Sequence, residues 1–142
     1  MTSVLEQHGF KFVNYPGGQE FADTFHFSHA VIVPPNVRTV RVSGQVGIQA
    51  DGTVPSDITE EANLALDKVT EALNAAGLGE DALEYVFDVT LYFARGLDPA
   101  PFVDVVKKRF KNTRPATVGL EVAKLVHPDL HLEIRAVAFY PS

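Results

Sequence analysis

An acid and a base stand two residues apart near the end of the chain, Glu133 and Arg135 in the stretch "HLEIRAVAFY" (131–140). A guanidinium can grip a carboxylate or phosphate through two parallel hydrogen bonds, and a carboxylate beside it can move a proton if burial lifts its pKa. The same residues admit a plainer reading, in which Arg135 pairs with Glu133, Glu121 or a neighbouring subunit because buried charges must be paired. The His29 imidazole can shuttle protons, or it can serve as a hydrogen-bonded interface histidine. Phe25, Phe27, Tyr92 and Phe93 can wall a planar ligand or simply form core.

Several chemistries are excluded or disfavoured. The chain has no cysteine, which removes disulfides, thiolate metal sites and cysteine nucleophiles. His26 and His29 are three apart on what reads as one strand, so they face opposite ways; no acid supports them, and no metal site is expected. Ser43 lies in "VSGQVG", which lacks the nucleophile-elbow pattern, the glycine spacing of a dinucleotide fingerprint and a helix opening after it. The net charge is −6 with no basic stripe, which argues against nucleic acid as a partner. The opening "MTSVLEQHGF" lacks the basic end and apolar core of a signal peptide, and no apolar run nears the ~20 residues of a membrane span. A cytoplasmic protein without membrane partners is the expectation.

The elements that must position these residues follow from punctuation and periodicity. "YPGGQ" and "VPPNV" read as turns separating strands near 11, over 25–33 and over 37–44. A helix should begin at the Asp57 cap, with Glu60 reaching back, and run to Gly77. Ile58, Ala62, Ala65, Leu66, Val69, Leu73 and Ala76 form its apolar stripe, with a charged, wet opposite side. A strand at 85–94 follows. A helix after the Asp98 cap turns Phe102, Val105, Val106 and Phe110 inward, and strands "ATVGLEV" and "LHLEIRAVAFY" close the chain.

The order βββαβαββ predicts one domain over residues 1–142, an α+β sandwich with a mixed β-sheet and two helices on one face. On the last strand, Leu132, Ile134, Ala136 and Ala138 should meet the helices. The opposite face turns apolar at Val137 and Phe139, which predicts cover from another subunit.

Four segments in order resemble the motifs of the RidA/YjgF (reactive-intermediate deaminase) family: "FHFSHAV", "VSGQVG", "RPATVGLEV" and "LEIRAVAF". The resemblance implies a chorismate-mutase-like fold assembled as a homotrimeric barrel, with clefts between subunits. It also implies cofactor-free, deaminase-like hydrolysis of enamines or imines to 2-keto acids and ammonia. Two residues depart from the pattern: Thr117 stands where the family's arginine is expected, and Arg135 where its closing glutamate is expected. The family's early tyrosine is Phe27 and the following glutamine is His29. By position, Phe27, Ser28, Ser43, Gln45, Tyr92 and Thr117 fall at the substrate cleft, with Arg135, Glu133 and His29 as candidate catalytic groups. The implied ligand is a small anionic or carbonyl-bearing metabolite. The alternatives are a non-catalytic binding module of the same fold and, less favoured by the charge, an RNA endonuclease.

Overall fold

The computed structural model describes residues 2–141. The chain opens with a one-turn helix, α1 (Val4–Gln7), closed by a reciprocal cap. The Ser3 hydroxyl accepts from the Glu6 N–H at 3.2 Å, and the Glu6 carboxylate accepts from the Ser3 N–H at 3.1 Å. There follow β1 (Lys11–Val13), α2 (Gln19–Phe25), β2 (Ala30–Ile32), β3 (Arg38–Gln45) and α3 (Ile58–Ala75). After a 3-10 turn at Ala82–Tyr85 come β4 (Val86–Ala94), α4 (Ala100–Phe110), β5 (Ala116–Val122) and β6 (Leu132–Tyr140).

β1 and β2 form a small antiparallel pair, and the other four strands form a mixed sheet in the order β3-β6-β4-β5. Only β4 and β5 run parallel, as the α4 crossover between them requires. The sheet's other pairings are antiparallel, with a bulge in β3 between Val42 and Gln45.

One core unites the apolar stripe of α3 (Ala62, Ala65, Leu66, Val69, Leu73) with Phe102, Val105, Val106 and Phe110 of α4. Both pack on Leu132, Ile134, Ala136 and Ala138 of β6 and on Val89 and Leu91 of β4. α3 starts where its sequence says it should, with the Asp57 carboxylate accepting from the Thr59 N–H at 3.2 Å. Asp98 performs the same service for Ala100 at 3.1 Å.

Three expectations need correction. The segment 25–33 is not one strand: α2 ends at Phe25, His26 takes a left-handed conformation (φ 59°), and only Ala30–Ile32 pairs. His26 and His29 are therefore not two sides of one strand. The apolar end of the second sheet face is covered from within the chain, where Leu5 and Phe10 pack with Phe87, Val137 and Phe139. The rings of Phe10 lie 5.3 Å from both Phe87 and Phe139. Finally, the charged side of α3 is not uniformly wet. Glu61 is fully buried and accepts from the backbone N–H groups of His131 and Leu132 and from the His131 ring.

Candidate functional site

The free edge of β5 carries one set of candidate residues. Ser28 bridges to Ala116 there, its N–H donating to the Pro115 carbonyl at 3.2 Å, so the segment Phe27–His29 lies along the start of β5. Phe27, Ser28, His29, Asp88 and Thr117 line a cleft of about 310 Å³. Ser28 is almost fully buried (2 % exposed), and its hydroxyl has no partner among the described residues. A buried hydroxyl without a partner is costly, and this one lies behind the wall of the cleft.

His29 is held on several sides. Asn14 Oδ1 accepts from the His29 backbone N–H at 3.0 Å and from Nδ1 at 2.8 Å. Because the backbone group can only donate, it fixes Oδ1 as the acceptor and assigns the proton to Nδ1, leaving Nε2 as the ring's acceptor nitrogen. Asn14 in turn donates to Gln19 at 3.2 Å and Gln19 donates to Asp23 at 2.9 Å. Asp23 closes the chain by pairing with Arg114 at 3.0 Å. That hydrogen bond to Arg114, helped by Gln19, holds the Asp23 carboxyl below its ordinary pKa. The ring of Tyr15 sits 3.9 Å from that of His29 and the ring of Phe27 5.0 Å away. Gly18 completes the seat, since a methyl group at that position would come within 2.6 Å of His29 Cε1.

A second set lies on the sheet face away from α3 and α4. Register places Tyr92 opposite Glu133 and Thr90 opposite Arg135. Glu133 and Arg135 are both half-buried, and among the described residues neither forms an ion pair. The pairing of Arg135 with Glu133 or Glu121 is thus not found within the chain, and Glu121 projects to the other face of the sheet. Ser43 lies in the β3 bulge, and Gln45 donates to the Ser43 carbonyl at 3.2 Å. Gly44 lets the Glu133 carboxylate lie close over the bulge, since a methyl group there would displace it.

The geometry does not let Arg135 replace a guanidinium at position 117 within one chain. β4 lies between β5 and β6, and register turns Thr117 towards the helices and Arg135 away from them. Thr117 also donates its hydroxyl hydrogen to the Pro115 carbonyl at 2.9 Å, which leaves it only as an acceptor. Of the four aromatics read as a wall, Phe25, Phe27 and Phe93 meet around one cavity with Phe21. Tyr92 is on the opposite face of β4.

Asn14, Gly18, Gln19 and Asp23 carry no recognisable motif, because their role depends on a turn and a short helix folding back onto His29. His26 is buried beside them with Nε2 unpartnered. Desolvation, reinforced by the nearby Arg114 charge, lowers its pKa. Among the described residues, no group of three or more acids and histidines is arranged to hold a metal, and no helix is long and apolar enough to cross a membrane.

Residues 17–140 match the family model described as Endoribonuclease L-PSP. The chain is 36% identical over 114 residues to a goat (Capra hircus) 2-iminobutanoate/2-iminopropanoate deaminase, a match covering 79% of this chain and 78% of that one. Its structure is similar to that of YyfB, a Rid-family protein from Yersinia pestis, with a TM-score of 0.76 and 26% identity over 92% of this chain and 98% of the other. It is also similar to Rv2704 of the YjgF/YER057c/UK114 family from Mycobacterium tuberculosis. That match has a TM-score of 0.60 and 27% identity and covers 93% of this chain and all of the other.

Proposed function

The chain belongs to this family, the RidA/YjgF group, and from that premise we propose that it hydrolyses a reactive 2-imino acid or its enamine tautomer in a cleft between subunits of a homotrimer. The observation that carries the reading is His29, fixed by Asn14 with Nε2 free to accept, beside the unpartnered Ser28 hydroxyl. The goat relative's named substrates supply the substrate class.

The reaction is R–C(=NH)–COO⁻ + H₂O → R–C(=O)–COO⁻ + NH₃. His29 Nε2 takes a proton from the attacking water as oxygen bonds to the imine carbon and passes it to the imine nitrogen, giving the carbinolamine; it then takes the hydroxyl proton and passes it to the amine nitrogen as the C–N bond breaks, releasing the keto acid and ammonia. Ser28, whose hydroxyl is buried, braces the cleft wall beside His29. Arg135 of a neighbouring subunit binds the substrate carboxylate, with Glu133 and Ser43 bracing it. The same base accounts for tautomerisation, moving a proton between the enamine nitrogen and carbon. The absence of an ion pair to Arg135 among the described residues supports its role towards a neighbouring subunit's site.

The test generates 2-iminobutanoate in situ, traps it with semicarbazide and follows semicarbazone formation. The protein should slow trapping, and His29→Ala should restore it. A folded protein that leaves trapping unchanged, yet binds 2-oxobutanoate, would favour a non-catalytic binding module, a reading motivated by Thr117 and Arg135. RNA cleavage, named in the family description, fits the net charge of −6 poorly; salt-sensitive RNA binding would reverse that judgement.

A further inference from the structure

We infer that the substrate's side chain is aromatic or comparably bulky and apolar, an inference that rests on the proposed 2-imino acid chemistry and narrows its substrate class. A second cavity of about 380 Å³ opens beside the His29 cleft, and the two share Phe27 and Thr117. Its walls are Phe21, Phe25, Phe27, Phe93 and Val103, and no charged residue lines it. The rings already adopt the tilted and edge-on arrangements that aromatic groups favour, with Phe21 4.7 Å from Phe25 and 5.8 Å from Phe27. Gly119 keeps Phe93 in place, because a methyl group there would crowd its ring at 3.2 Å.

A carboxylate in this cavity would lie against aromatic walls with no charged partner, and the Thr117 hydroxyl hydrogen is spent on the Pro115 carbonyl. The charged end of the substrate must therefore point the other way, past Ser28 and His29, and the apolar end must fill the cavity. Size agrees with this orientation. An apolar cavity of about 150 Å³ takes up benzene, so this one accommodates an aryl or branched alkyl group with its connecting carbon. A methyl or ethyl side chain would leave most of it empty.

The experiment compares the imines formed in situ from phenylalanine and alanine by an amino-acid oxidase, in wild type and in Val103→Trp, which fills the cavity from α4. A mismatch of even one methylene in an apolar pocket is worth roughly tenfold. Wild type should therefore favour the phenylalanine-derived imine in kcat/KM by about tenfold or more, and Val103→Trp should remove that preference. Val103→Ala, which only enlarges the cavity, should shift preference towards the tryptophan-derived imine and guards against misfolding of the Trp variant. Calorimetry with phenylpyruvate and pyruvate gives a readout independent of turnover, with phenylpyruvate binding tighter and losing its advantage in Val103→Trp. Hydrolysis of the small imine with no aromatic preference overturns the side-chain inference and leaves the deaminase reading intact. Absence of all hydrolysis with Val103-sensitive phenylpyruvate binding does the reverse.

Discussion

Replacing Glu61 with Leu should destabilise the protein far more than a single exposed-charge substitution would. Glu61 is fully buried at the start of α3, and its Oε2 accepts from the His131 N–H at 2.8 Å and the Leu132 N–H at 3.2 Å. Its Oε1 accepts from His131 Nδ1 at 2.8 Å. Leucine fills similar volume but strands two backbone donors where β6 begins, the strand that carries Glu133 and Arg135. At about 1–3 kcal/mol for each unsatisfied group, the loss is roughly 2–6 kcal/mol. For a chain of this size, at about 3 °C per kcal/mol, the melting temperature should fall by roughly 6–18 °C. Glu61→Gln is the control: its amide oxygen can occupy the Oε2 position and keep both backbone bonds, and both variants lose the same charge near the helix N-terminus. Calorimetric unfolding of the three proteins decides the matter. A Leu variant within about 1 kcal/mol of wild type, or a Gln variant as damaged as Leu, would refute the assignment of Glu61 as the anchor of β6.

Two further outcomes are specific. Burial depresses the His26 pKa below its ordinary 6.5, so the unfolded chain binds a proton that the folded chain refuses. Stability from this site is complete above pH 6.5 and declines below it, by at most about 1.4 kcal/mol per pH unit. His26→Asn, which tolerates the left-handed backbone, should unfold in urea with a shallower loss between pH 7.5 and 5.5, and identical pH dependence would contradict the reasoning. Asn14→Leu removes the acceptor that fixes the His29 tautomer. It should lower kcat by about tenfold or more and move the pH profile while KM stays near wild type; a change in KM alone would make Asn14 a binding residue instead.

Much of the fold was legible because its signals are local. The stripe of α3, the Asp57 and Asp98 caps and the alternation of β6 each depend on a few consecutive residues. The N-terminal quarter was not, because "FHFSHAVIV" has β-forming composition while Phe21 and Phe25 already belong to a helix that faces β5 across a cavity. Tertiary context overrides propensity there. The apolar pair Val137 and Phe139 was visible as a covered surface, but its cover, Leu5 and Phe10, lies more than a hundred residues away in sequence. His29 and Ser28 stood out through the resemblance, whereas the Asn14–Gln19–Asp23–Arg114 chain that orients His29 spans three separate segments. Thr117 and Arg135 stood out as departures from the family pattern, but the sequence did not show that their strands are not adjacent and that the two side chains face opposite ways.

The most direct test of the account mixes His29→Ala and Arg135→Ala subunits, each inactive alone, by unfolding and refolding them together. A site built from His29 of one subunit and Arg135 of the next has both wild-type partners in about a quarter of positions in a random trimer, so imine hydrolysis should return to about a quarter of the wild-type level. No recovery in mixed trimers, alongside an active wild type, would contradict a site shared between subunits.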